Sequence, residues 1–153
     1  MSAEMQSLTL LDLSCCYNFS SILKFTGIMK SLSKIYLGAA AIKKLAPSSI
    51  QCLTALTLLD LSTCKNLECL PSNMDDLRSL ETLILRGCKK LKSLPRLPST
   101  LRFINAQKPS PALVKLSSLS QPLFRWLPYD ESGSGVAFTR LFRYLQVMSS
   151  LSL

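Results

Sequence analysis

The 153-residue chain contains no histidine. Without an imidazole there is no Ser-His-Asp or Cys-His nucleophile pair, no histidine-ligated metal and no proton shuttle titrating near neutral pH. Cysteines number six, but none form a Cys-x-x-Cys pair, so no close-set ligand group for zinc is present. Also missing is a Gly-x-x-x-x-Gly-Lys-Ser/Thr loop that would cradle a nucleotide phosphate, and Gly133-Ser134-Gly135 reads as a flexible turn. Neither an enzyme activity, a cofactor nor a metal is expected. Asp, Lys, Ser or Thr interrupts each leucine cluster before it reaches the roughly 18 to 20 apolar residues of a membrane-spanning helix. The start, Met1-Ser2-Ala3-Glu4-Met5-Gln6-Ser7, carries neither the basic nor the apolar segment of a secretory signal. The expected compartment is therefore intracellular and cytoplasmic, with the nucleus open as well, and the expected state of the thiols is reduced.

Acidic residues are scarce: nine Asp and Glu stand against 18 Lys and Arg, for a formal charge of +9. Such a balance suits an acidic protein, nucleic acid or anionic lipid, and charge alone cannot choose among them. Hydrophobic residues make up 48% of the chain, enough to bury a core. The length allows one domain, or a few coils of a repeat protein and a tail.

Self-similarity decides between these. Leu8, Leu32, Leu56 and Leu80 recur at a spacing of 24, as do Leu11, Ile35, Leu59 and Leu83, and Leu13, Leu37, Leu61 and Leu85. A further column holds only small residues, Cys16, Ala40, Cys64 and Cys88. The unit Leu-x-x-Leu-x-Leu-x-x-Cys-x-x-Leu-x-x-Leu-Pro is the leucine-rich-repeat pattern in a cysteine-ladder form. A shorter fifth unit starts at Leu101 with Ile104 and Ala106, and the second slips by one residue before Pro47. About three coils are needed for a stable stack, which four full units exceed. The expected fold is an α/β leucine-rich-repeat solenoid over residues 1–108, with short parallel strands and irregular or short helical returns.

Period-two alternation between Thr57 and Ser62 sends Leu59 and Leu61 inward and Leu58, Asp60 and Ser62 outward. By phase the outward positions are Leu10, Asp12 and Ser14; Lys34, Tyr36 and Gly38; Leu58, Asp60 and Ser62; Thr82, Ile84 and Arg86; and Phe103, Asn105 and Gln107. Stacked, they form a mixed ribbon whose Tyr, Phe and Arg anchors suit protein binding. The plain alternative is an exposed sheet face with no partner. Cys64 and Cys88 fit a bend that excludes larger side chains, where a thiol can donate weakly to a carbonyl of the neighbouring coil. Cys52 and Cys69, outside the ladder, read as half-buried packing residues. The returning arm from Leu67 to Leu77, with Pro71 and Asn73, predicts an irregular stretch and then a short helical or 3₁₀ turn. No polar cap precedes Leu8, Leu11 and Leu13, so the stack reads as cut at its start.

From residue 109 to 153 the chain reads as a Pro/Ser-rich linker followed by an amphipathic helix over about Val136 to Met148. Packing on the last coil or on downstream structure is the expected use of that helix, with a membrane-surface helix as the alternative.

Leu-Asp-Leu-Ser-x-Cys-Lys-Asn-Leu at residues 59–67 and Leu-x-Gly-Cys-Lys-Lys-Leu at 85–91 resemble plant intracellular nucleotide-binding leucine-rich-repeat immune receptors of the Toll/interleukin-1-receptor type. Ala41 to Ile50 is similar to that family's Ile-x-x-Leu-Pro-Ser-Ser-Ile turn with Ala46 added, and Leu94 to Leu101 looks like its closing repeat. The resemblance covers residues 8–108. It implies a protein-recognition role in plant defence: sensing pathogen effectors or modified host proteins, or restraining the receptor's switch. A leucine-rich-repeat adaptor outside immunity is the alternative. Lys65, Lys89, Lys90 and Lys92, with Arg96 and Arg102, gather charge on the side where the ladder turns. Ordinarily such a run is a solvated face; the resemblance implies docking on an acidic neighbouring domain. No motif interleaving basic and aromatic residues accompanies the charge, so nucleic acid is not the expected partner.

Overall fold

A computed structural model describes residues 7–18, 25 and 27–106. The tail from residue 109, with the amphipathic helix expected in it, and Gln107 lie outside the described residues. Five three-residue strands form one parallel sheet in chain order: β1 (Leu10–Asp12), β2 (Lys34–Tyr36), β3 (Leu58–Asp60), β4 (Thr82–Ile84) and β5 (Phe103–Asn105). Their register reproduces the repeat, with Leu11 opposite Ile35, Ile35 opposite Leu59 and Leu59 opposite Leu83. Leu83 then pairs with Ile104, so the shortened last unit keeps phase. The chain is a parallel-strand solenoid of about four turns.

The inward columns make a single core. Leu32, Leu56 and Leu80 are fully buried, and so are Ile35, Leu59 and Leu83 to within a few per cent. Leu37, Leu61 and Leu85 continue it, with Ile42, Leu67 and Leu91 closing it from the returning arm. Leu8, Leu11 and Leu13 pack against this core but stay half-exposed, because β1 has a sheet neighbour on one side only among the described residues.

Strands are shorter than the alternation predicts: Ser14, Gly38, Ser62 and Arg86 lie beyond the strand ends. The reason is a sharp turn one residue later. Cys15, Ala39, Thr63 and Gly87 all adopt left-handed φ, from 55° to 74°. This bends the chain so that the next residue, the small ladder position, points into the stack. In the returning arms the third coil forms only a 3₁₀ turn at Met74–Asp76, whereas the second makes an α-helix, α1 (Pro47–Cys52). The added Ala46 occupies the N-cap of α1, and Pro47 starts it where a missing N–H costs nothing. Asn73 Nδ2 donates to the Pro47 carbonyl at 3.1 Å and ties the two arms together.

Candidate recognition face

The sheet register sets the outward residues in three columns. The first runs Leu10, Lys34, Leu58, Thr82, Phe103; the second runs Asp12, Tyr36, Asp60, Ile84, Asn105. The third, in the turn, is Ser14, Gly38, Ser62 and Arg86 by the same phase. Leu10, Asp12, Ser14, Lys34 and Arg86 are exposed, while Tyr36, Leu58, Asp60, Ser62, Thr82, Ile84, Phe103 and Asn105 are half-buried by their neighbours along the column.

Two of these side chains also have local work that the alternation does not foresee. Asp12 Oδ1 accepts from the Ser14 N–H at 2.9 Å, and Asp60 Oδ1 from the Ser62 N–H at 2.8 Å. These bonds close Asx turns and help hold the chain bend. Hydrogen bonds from the Ser14 hydroxyl and then its N–H hold the Asp12 carboxyl below its ordinary range. The repeated Asp-Leu-Ser at 12–14 and 60–62 was the available signal for this role.

Gly38 is buried rather than outward-facing. A Cβ there would stand 3.0 Å from Ser62 Oγ and 3.8 Å from Ser14 Oγ, so the two hydroxyls converge above it. The hydroxyls fill the space above the glycine and account for its burial, so the ribbon is closed directly beyond Tyr36.

On the edge where the ladder turns, Cys64 Sγ donates to the Leu37 carbonyl and Cys88 Sγ to the Leu61 carbonyl, both at 3.1 Å. Burial pushes the two thiols up to about 11 and about 12. All six cysteines are free; Cys16 at the end of the stack is half-exposed, and Ala40 has no thiol to donate to the Leu13 carbonyl. Cys52 and Cys69 are half-buried. Cys52 Sγ reaches the Ser48 and Phe25 carbonyls at 3.4 and 3.5 Å.

Lys65, Lys89, Lys90 and Lys92 are exposed, and Lys43 and Lys44 of the preceding coil add to the same side. Backbone bonds from Glu68 N to the Lys43 carbonyl and from Lys92 N to the Glu68 carbonyl stack these segments. Glu68 carries the counter-charge: Lys92 Nζ meets its carboxylate at 2.9 Å. Lys90 Nζ donates to Asn66 Oδ1 at 3.3 Å, which leaves its charge unpaired. Among the described residues the ribbon contains no ion pair; the pairs present, Lys92 with Glu68 and Arg96 with Asp75, lie elsewhere.

A family model described as disease resistance protein RPS4B-like, leucine-rich repeats, matches residues 4–120. The chain belongs to this family. The match agrees with the motifs that resemble plant nucleotide-binding leucine-rich-repeat receptors, and it takes in every coil of the stack. No curated protein and no solved structure matches the chain. No helix among the described residues is long and apolar enough to cross a membrane.

Proposed function

We propose that the chain is a non-enzymatic recognition module of a disease resistance receptor, acting inside the plant cell, and that the outward ribbon is its protein-binding surface. The observation that carries this is the five-strand register, which lines up Leu10, Tyr36, Leu58, Ile84 and Phe103, beside Lys34 and, by the same phase, Arg86, on a face that the described residues leave uncovered. Half-buried apolar and aromatic side chains ringed by charge are what a protein partner desolvates to advantage. The partner is a pathogen effector, a host protein altered by one, or another domain of the receptor itself.

The test is recovery of partners from plant tissue with the intact chain and with two variants. One carries Tyr36→Ala, Thr82→Arg and Ile84→Arg, which spoil the ribbon while leaving the inward leucines and the Asp60 turn in place. The other carries Lys89→Glu and Lys90→Glu on the basic side. Loss of the same partners from the ribbon variant alone supports the reading; identical recoveries from all three defeat it.

A second contact is supported by the imbalance of charge along the ladder side, where Lys43, Lys44, Lys65, Lys89, Lys90 and Lys92 are exposed and, among the described residues, only Lys92 is in an ion pair, with Glu68. That side docks on an acidic surface of a neighbouring receptor domain. Partners lost only from the Lys89/Lys90 variant, and restored by complementary charge reversal on the neighbour, are the expected outcome.

A further inference from the structure

Glu68 stands inside the lysine cluster of the ladder side, and the stacking of the coils fixes its neighbours. Its N–H donates to the Lys43 carbonyl at 3.1 Å, and the Lys92 N–H donates to the Glu68 carbonyl at 3.0 Å, so the three residues occupy successive rungs with the acid in the middle. The next residues along, Lys44 and Cys69, are joined by a parallel bridge, which keeps these rungs in step. Lys92 Nζ closes on the Glu68 carboxylate at 2.9 Å, and the two side chains keep 70% and 37% of their surface in water. The hydrogen bond from Lys92, then its charge, and after them the charges of Lys44 and Lys43 hold the Glu68 carboxyl below its ordinary range. Lys65 and Lys89, one repeat apart, make no ion pair among the described residues, and Lys90 has only the neutral Asn66 Oδ1 at 3.3 Å. Glu68 thus engages Lys92, Lys43 and Lys44, and leaves Lys65, Lys89 and Lys90 unneutralised.

Resting on the basic side as a docking surface for an acidic protein, we infer that Glu68 is a built-in competitor of that partner and sets how tightly it binds. A partner carboxylate and the Glu68 carboxylate offer an ammonium the same chemistry, so the partner reaches Lys92 only by displacing Glu68. Lys65, Lys89 and Lys90 meet it with no such exchange. Displacement is open to the partner because the pair is exposed, where water and salt weaken it, and because the flexible lysine stem lets Nζ turn from one carboxylate to another. Until that happens, a carboxylate brought over Glu68 meets a like charge. The side is therefore graded: the partner seats its acids on Lys65, Lys89 and Lys90, and the rungs from Lys43 to Lys92 contribute little while Glu68 holds them. Removing the Glu68 charge should turn those rungs into full members of the docking surface.

The experiment measures binding of the full chain to a fluorescent deca-glutamate peptide by anisotropy, near neutral pH and at about 0.1 M salt. Glu68→Gln keeps the size of the side chain and removes its charge, and is expected to tighten binding about threefold. Glu81→Gln, which changes the net charge equally but just before β4, is expected to leave the affinity as it is. Lys92→Gln should cost about 1.5-fold beside Glu68 and about threefold in the Glu68→Gln chain, whereas Lys89→Gln should cost the same in both. The gain from Glu68→Gln should fade at about 0.5 M salt. Unchanged or weaker binding of Glu68→Gln, an equal gain from Glu81→Gln, or an equal cost of Lys92→Gln in both chains would overturn the assignment. The docking reading fails separately, when the variant with Lys89→Glu and Lys90→Glu binds the peptide as tightly as the intact chain does, and absence of saturable binding by the intact chain overturns both.

Discussion

Gly87→Ala tests the turn geometry that every coil shares. Gly87 has φ of +74°, and an alanine Cβ there would meet Thr63 Cγ2 of the preceding coil at 3.2 Å and Thr63 Cα at 3.6 Å. Left-handed backbone costs a residue with a Cβ roughly 1–2 kcal/mol. The stiffer unfolded chain returns about 0.4–1 kcal/mol of that, and the crowded methyl adds a few tenths. A net loss of about 1–1.5 kcal/mol is therefore expected. Thr63 itself sits at φ of 55° with a branched side chain, so Thr63→Gly relieves strain while removing the methyl that crowds position 87. Urea unfolding of the two single variants and the double variant closes a thermodynamic cycle. Gly87→Ala should cost about 0.5 kcal/mol less in the Thr63→Gly background. The reasoning is refuted if Gly87→Ala is neutral, or if the two effects simply add, because then the contact between adjacent turns carries no energy.

Three further outcomes follow from the ladder and its flank. Ala40→Cys should raise the unfolding midpoint by an amount equivalent to about 0.5 kcal/mol, since a thiol at 40 is in phase to donate to the Leu13 carbonyl as Cys64 does to Leu37; a lower midpoint would show that the end of the stack has no room for sulfur. In the folded chain Cys64 and Cys88 should resist iodoacetamide at pH 8 while exposed Cys15 reacts, checked by peptide mass mapping, because burial keeps both ladder thiols protonated up to about 11 and about 12. For those thiols the folded pKa is raised, so their contribution to stability is complete below the unfolded value near 9 and is lost as pH climbs through 11 to 12, visible as an alkaline fall in midpoint that Cys64→Ala reduces. Glu68 is shifted the other way, lowered first by its hydrogen bond from Lys92 and then by that residue's charge. Its contribution is present above the unfolded carboxylate range and is lost as pH falls through the lowered value, so Glu68→Gln should flatten the acid limb at low salt and have little effect at high salt.

The leucine columns carried most of the fold into plain view because burial of one strand face is periodic and the period never breaks between Leu8 and Leu85. The same columns place the ribbon, since whatever alternates with Leu11, Ile35, Leu59 and Leu83 must face out. What composition conceals is the left-handed column. Of Cys15, Ala39, Thr63 and Gly87 only one is glycine, so residue type gives no hint, although phase does: each directly precedes a ladder position. The helix α1 was likewise hidden in one added residue, Ala46, which reads as a slip in the repeat but gives Pro47 a helix to start. Burial of Gly38 escaped the alternation because the strand ends before the period does.

Turn closure and recognition compete for the second ribbon column, and the left-handed residues record how. In the first and third coils an aspartate at that column closes the turn, and the left-handed position tolerates Cys15 and the branched Thr63. The second and fourth coils have Tyr36 and Ile84 there instead, with no carboxylate to help, and their left-handed positions are the small Ala39 and Gly87. The side-chain bond thus offsets strain that the other coils avoid by shedding atoms. Asp60→Ala should accordingly cost about 1–1.5 kcal/mol, the loss of a charge-assisted bond to Ser62, while Thr63→Gly in the same chain should recover much of it. Tyr36→Asp, which adds a closure the second coil already does without, should gain far less than Asp60→Ala loses. Equal and opposite effects of those two substitutions would show that the turn residues are indifferent to their closure, and would leave the aspartates to recognition alone.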